Sequence, residues 1–150
     1  MSFFNSHIVS TPTQTQMLGE GFPRAAMVVY RHLLGQPKYL LIGTRRRSDR
    51  LTLPGGKIDS RESALETAIR ETIEEAGVFT DRHRTLDTYA HRKSNGCIHP
   101  TQTFLARYAR YNSGHEARKL HWLTLPELHA LAHNIRPPIR EQIELAADVL

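Results

Sequence analysis

The stretch LPGGKIDSRESALETAIRETIEEAGV, residues 53–78, sets five glutamates behind a double glycine in a chain whose formal net charge is +5. Its middle reads as one helix over about 64–76. Ser63 to Glu66 form a capping box, in which the serine oxygen takes the backbone N–H three residues on and the glutamate reaches back. Gly77 suits the left-handed position that ends a helix. At 100° per residue, Leu65, Ala68, Ile69, Thr72, Ile73 and Ala76 share the side expected to face a core. Glu71, Glu74 and Glu75 are expected on the other side, with Arg70 at the edge of their arc. A solvated acidic face is the ordinary outcome for such a run, and two features count against it here. Carboxylates three and four apart repel one another, and the last turn is already the negative end of the helix dipole. A hard divalent cation would relieve both, and Mg²⁺ takes one or two carboxylates together with waters and substrate phosphates. Gly55 and Gly56, after Pro54, permit a close backbone approach that can bring a carbonyl or amide to the carboxylates.

Outward from this stretch, RAAMVVYRH (24–32) is apolar and β-branched enough for a buried strand. GQP (35–37) marks a turn, and KYLLIGTRR (38–46) reads as the partner strand. RSDR (47–50) is a polar loop and LTL (51–53) a short strand. Further strands are expected at LDTYAHR (86–92), TQTFLARYARY (101–111) and HWLTL (121–125), with a turn at SNG (94–96). PELHALAH (126–133) suits a helix with Pro126 in its first turn. PPIREQIELAADVL (137–150) suits a terminal amphipathic helix. Strands and helices alternate with at least one hairpin, which argues for a layered α/β or α+β domain. The 150 residues fit a single domain, with 1–20 a Ser/Thr/Gln-rich lead-in.

With 39% hydrophobic and 23% charged residues the composition is globular. No apolar run is long enough to span a bilayer, and the first residues lack the pattern of a secretory signal. The lone Cys97 forms no intrachain disulfide, which fits a cytoplasmic location. A sequence pI of about 9.7 favours anionic partners. No helix-turn-helix, zinc-finger or aromatic RNA-binding signature accompanies it.

Residues 56–78 as a whole resemble the Nudix box: Gly56, five residues, Glu62, seven residues, then Arg70-Glu71-Thr72-Ile73-Glu74-Glu75-Ala76-Gly77-Val78. The one departure is Thr72, where the pattern asks for an apolar residue. The resemblance implies a Nudix fold, a mixed β-sheet sandwiched between helices, over about residues 21–148. It also implies hydrolysis of a diphosphate linked to a further moiety, with Mg²⁺ or Mn²⁺. Carried onto these residues, Glu74 and Glu75 are expected to be metal ligands, and Glu71 a ligand or the base that activates water. The Gly56 carbonyl is a further expected ligand. Arg70 would orient its neighbouring carboxylates, with Glu62 and Gly55 in support. The alternative is a Nudix-fold module that senses a nucleotide without turnover, although such modules usually lack a box glutamate and all are present here.

The box does not choose the substrate. The first proline beyond it is Pro100, so the proline of ADP-ribose-type members has no counterpart, and the signatures of NADH-type and coenzyme A-type members are absent. Arg45, Arg46, Arg47 and Arg50 precede the box, and Arg82, His83, Arg84, His91, Arg92 and Lys93 follow it. That layout is similar to diadenosine and diphosphoinositol polyphosphate hydrolases, except that Leu51 stands where a tryptophan is common. The expected partner is a phosphorylated small molecule, with Arg46 and Arg50 as phosphate contacts. An RNA 5′ end is the one nucleic-acid substrate the resemblance allows, and a homodimer is compatible with it. Tyr89, Tyr108 and Trp122 are candidates to stack a base, against the commoner outcome that they are core. The histidines show no metal-ligand spacing.

Overall fold

The computed structural model describes residues 21–93, 95–112 and 118–150. The lead-in expected over 1–20 and Ser94 of the expected turn lie outside the described residues. β1 (Arg24–Leu33) is buried on both faces through its middle, which is why its sequence is a continuous apolar run rather than an alternating one. It turns into β2 (Gln36–Gly43) through Leu34 and Gly35, both with positive φ, 54° and 79°. That is the backbone of a tight two-residue hairpin turn. The turn therefore sits one residue earlier than GQP suggests, because Gln36 and Pro37 already pair with Leu33 and His32.

Two short strands follow, β3 (Leu51–Thr52) and β4 (Gly55–Lys57), and then helix α1 (Ala64–Ala76). β5 (Val78–Arg92) starts directly after the helix cap. Only its second half was expected from sequence. The first half is polar and irregular, with pairing shifts around Asp81 and Arg84 and a positive φ of 52° at Arg82. Bulges of this kind are common on edge strands, and β5 is an edge. β6 (Ile98–Tyr111) inserts between β1 and β5, parallel to β1 and antiparallel to β5. β7 (Leu120–Leu123) pairs with β2, and α2 (Leu125–Ala130) and α3 (Pro137–Val149) complete the chain.

The sheet order is β3-β2-β1-β6-β5, with β4 paired to β1 and β7 to β2. One face carries Ala25, Met27, Val29, Leu40, Ile42 and Phe104 against α1. The other carries Ala26, Val28, Tyr39, Leu41 and Leu105 against Leu128 of α2 and Ile139, Ile143 and Ala146 of α3. Each fully buried aliphatic side chain, Ile143 among them, contributes about 1.5–3 kcal/mol. The result is the expected mixed sheet between helices. Among the described residues no helix is long and apolar enough to cross a membrane.

Candidate active site

Helix α1 is fixed at both ends. Ser63 Oγ accepts from the Glu66 N–H at 3.1 Å and Glu66 Oε1 accepts from the Ser63 N–H at 2.8 Å, the reciprocal cap read from sequence. Gly77 has φ 67° and donates its N–H to the Ile73 carbonyl at 2.8 Å. These ends hold the glutamate-bearing turns against β4.

β4 is laid flat on β1, with Ala25 opposite Gly56 and Ala26 opposite Gly55. A Cβ on Gly55 would overlap the Ala25 carbonyl, and a Cβ on Gly56 would overlap the Glu71 carboxylate. The double glycine is required by these two approaches, one to backbone and one to a charge. The Pro54 carbonyl accepts from Met27 N–H at 3.0 Å and ties the turn to the core strand.

The four acidic side chains then divide. Glu62 takes the Arg70 fork in two bonds, Nε to Oε2 at 2.9 Å and NH2 to Oε1 at 3.1 Å, and a third bond from the Thr67 hydroxyl at 2.8 Å. The Arg70 bond first, and the Thr67 bond second, hold the Glu62 carboxyl below the usual carboxylate range. Arg70 in turn becomes a still weaker acid, chiefly through Glu62. Arg70 NH1 also reaches Glu74 Oε1 at 3.1 Å and Glu71 Oε2 at 3.6 Å. One guanidinium thus sets three carboxylates, as charge-assisted forks do.

Glu75 departs from the expectation of a common outer arc. It is buried, with 6% exposure, because its position on the helix lies beside Ala68 and Thr72, both fully buried. Its Oε1 accepts the Gly55 N–H at 3.0 Å, and its Oε2 pairs with Arg118 NH2 at 3.4 Å. Arg118 also donates to the Gly43 carbonyl at 3.4 Å. It lies 43 residues from Glu75 in the chain, and sequence reasoning missed it. No local pattern marks it; the only available signal is that a buried glutamate requires a partner.

The structure therefore brings together Glu62, Arg70, Glu71, Glu74, Glu75, Gly55 and Gly56. Arg46 and Arg50 lie on the loop that leaves β2 at Gly43, closed by Thr44 N–H to the Arg50 carbonyl at 2.8 Å. Among the described residues their side chains make no ion pair with the box glutamates. Arg47, between them, pairs with Asp49 at 3.0 Å. Tyr108 and Trp122 meet edge to face at 5.5 Å, and the Arg31 guanidinium lies 4.2 and 5.0 Å from their ring centres. Tyr89 packs on the core, and burial pushes its hydroxyl up to about 12.

Among the described residues no three His, Cys, Asp or Glu side chains form a ready-made metal cluster. The box oxygens are instead engaged by Arg70, Arg118 and the Gly55 amide. The donor set nonetheless fits a hard divalent cation. It is all oxygen, and the glycine cradle keeps side chains out of the space beside Glu71.

Known proteins are similar to this chain in sequence and fold. The chain is similar to the chloroplastic Nudix hydrolase 21 of Arabidopsis thaliana, 31% identical over 108 residues, which is 69% of this chain and 54% of the relative. It is 39% identical over 69 residues to the asymmetrical bis(5′-nucleosyl)-tetraphosphatase of Caenorhabditis elegans, covering 41% of this chain and 50% of the relative. The chain thus spans about half the length of the curated relatives it matches. A Nudix hydrolase structure from Nitrosomonas europaea superposes with a TM-score of 0.74 at 22% identity, over 86% of this chain and 90% of the other. The C. elegans Ap4A hydrolase binary complex gives 0.65 at 23% identity, over 86% and 97%. At these identities the structures speak to the fold. The family model for the NUDIX domain matches residues 21–145, and with the box geometry in place the chain belongs to the Nudix family.

Proposed function

We propose that the chain is a divalent-metal-dependent hydrolase of a phosphoric anhydride bond, acting on a nucleoside diphosphate linked to a further group or a similar polyphosphorylated small molecule. The observation that carries this reading is the packing of the Gly55-Gly56 backbone against Glu75 and Glu71, at the one place where the helix concentrates its carboxylates. Glu71, Glu74 and Glu75, with the Gly56 carbonyl, would hold Mg²⁺ or Mn²⁺. When bound, such ions polarise phosphoryl oxygens and lower the pKa of water.

The remaining work falls to the chain's own residues. Arg70 fixes the Glu62 and Glu74 carboxylates in one orientation, so their oxygens need not reorganise when charge arrives. Gly55 N–H pins one Glu75 oxygen and leaves the other turned to Arg118. Glu71, beside Gly56, stands as a metal ligand or as the group that takes a proton from the attacking water. Arg46 and Arg50 would meet substrate phosphates at the rim. Phosphoryl transfer depends mainly on such positioning and charge. The relative named as a bis(5′-nucleosyl)-tetraphosphatase supports a dinucleoside polyphosphate within this class.

The test is product analysis by ion exchange, with Mg²⁺ or Mn²⁺ and a panel of dinucleoside polyphosphates, nucleoside triphosphates, ADP-ribose, NADH, diphosphoinositol phosphates and 5′-triphosphate RNA. One substrate class should turn over, and Glu74→Gln should lower that turnover by orders of magnitude while the fold persists. Unchanged turnover in Glu74→Gln would remove Glu74 from the site. A second reading, a nucleotide-sensing module, is supported by the fold shared with the Nudix domain of Shewanella oneidensis NrtR, solved as a cocrystal with ADP ribose. Binding of a panel member without hydrolysis under either metal would favour it.

A further inference from the structure

Tyr108 and Trp122, two of the candidates to stack a base, meet in a cleft of about 270 Å³ lined by Arg31, Tyr108, Tyr111, Leu120 and Trp122. The cleft opens on the sheet face that α1 covers, since Tyr108, Leu120 and Trp122 pack against the same cluster as Ala68 and Ala76. It lies apart from the carboxylates. Gly56 is opposite Ala25 near the start of β1, and Arg31 is further along that strand, a separation of about 20 Å at the rise of a strand. The other walls come from β6 and β7, where Tyr111 pairs with Val78, and Leu120 and Trp122 pair with Ile42 and Leu40.

The cleft combines flat apolar walls with one cation. Tyr108 and Trp122 stand edge to face at 85°, and the Arg31 guanidinium lies against both rings. Stacking engages the faces of a guanidinium and leaves its N–H edge for in-plane bonds. Among the described residues that edge has no hydrogen bond and no carboxylate. Tyr111 completes the wall and is 52% exposed, a large aromatic side chain turned to water. A cation fixed by packing and lacking a counter-ion favours an anionic ligand, and aromatic walls favour a flat ring. The volume is at the small end of ligand clefts, so the fit is to one ring system rather than two.

We propose that this cleft is a second ligand site, separate from the acidic one, for a flat aromatic ring that carries an anionic group. The ring lies against the aromatic wall and the anion takes the N–H edge of Arg31. A nucleoside monophosphate has both parts. The choice of a nucleotide rests on the hydrolase reading above, because cleavage of a nucleoside diphosphate derivative releases one. The preference for an aromatic anion rests on the cleft alone.

Trp122 is the chain's single tryptophan, so its fluorescence reads this cleft and not the acidic site. The experiment titrates the full chain with AMP, metal chelated. AMP should change the emission saturably, and adenosine or inorganic phosphate alone should bind at least roughly tenfold more weakly. Arg31→Gln should weaken AMP binding by a similar factor. Tyr111→Ser, at an exposed position that the fold does not need, should weaken it at least roughly fivefold. Arg110→Gln removes the guanidinium stacked on Phe79, outside the cleft, and should leave binding unchanged. No saturable change in emission, or equal affinity in the parent and both cleft variants, would overturn the site. Equal weakening by Arg31→Gln and Arg110→Gln would reduce the effect to net charge and overturn it too. Tighter binding of phenylacetate than of AMP would overturn the nucleotide assignment. Failure of the hydrolase reading shows separately, as Glu74→Gln retaining full turnover.

Discussion

The two sides of β4 handle charge in opposite ways. On the α1 side, Glu62, Glu74 and Glu75 are each held by an arginine, and Glu75 is sealed further by the Gly55 amide. On the α3 side, Arg24, Lys57, Lys93 and Arg136 stand together without a carboxylate among the described residues. Charges that are satisfied within the chain build geometry and can be read as scaffold. Charges of one sign crowded together without a counter-ion cost stability.

The largest expected effect tests the acidic side. Glu75→Gln keeps an oxygen for the Gly55 N–H but loses the charge, and kcat should fall by roughly 10²–10³-fold. A fall of less than threefold would make Glu75 a structural residue only. Glu62→Gln loosens the Arg70 fork without removing an expected ligand. Its cost should be smaller, roughly 10–100-fold in activity or metal affinity, as for groups that orient ligands. If the two variants cost the same, the division between held and holding carboxylates fails.

Arg118→Ala asks what the buried pair is for. The guanidinium competes with any cation for Glu75 Oε2, so the variant should bind Mn²⁺ at least roughly 5-fold more tightly by titration calorimetry. Weaker binding would recast Arg118 as a support for the site. Its loss should also lower the urea midpoint of the metal-free protein, since Glu75 is left buried with less compensation.

The smallest effect separates the two sides by pH. Glu62 has its carboxyl depressed by Arg70, so its contribution is present above the ordinary value of 4.5 and is lost as pH falls through its folded value. His91 is also depressed, from 6.5 to about 4, by burial first and then by Arg24, Arg136, His99 and Lys93. Its contribution is complete above pH 6.5 and erodes between 6.5 and about 4, where the unfolded chain takes a proton that the folded one refuses. The basic side should therefore weaken first on acidification. His91→Asn should flatten the urea midpoint across that window, and an unchanged slope would dissociate His91 from it.

Much of the acidic side was legible in the sequence because its interactions are local. The Ser63 cap and the Gly77 terminus follow from spacing within one helix, while the Arg70 pairing with Glu62 and Glu74 was expected from the resemblance to the Nudix box. The inward turn of Glu75 was missed although its helical angle falls beside Ala68 and Thr72, because its charge grouped it with the outer arc. Arg118 escaped because its proximity depends on β7 pairing with β2, a tertiary event. The basic cluster escaped for the same reason. Arg24, Lys57, Lys93 and Arg136 come from four different elements or their ends, and His99 looked like one histidine among nine. The first half of β5 was missed because an irregular, polar edge carries no alternation to read.

The parallel pairing of β1 with β6 also bears on how the molecule comes to exist. Arg24 meets Thr101 across that ladder, while α1 and its glutamates are made from chain lying between the two. The hairpin of β1 and β2 and the capped helix can form from neighbours, but neither side of the site is complete until a distant strand slots in. Mixed folds with contacts this non-local fold more slowly than helical bundles. During that interval the glutamates and the basic residues of the two sides are free to find one another, and metal added before refolding should change the rate at which the acidic half is assembled.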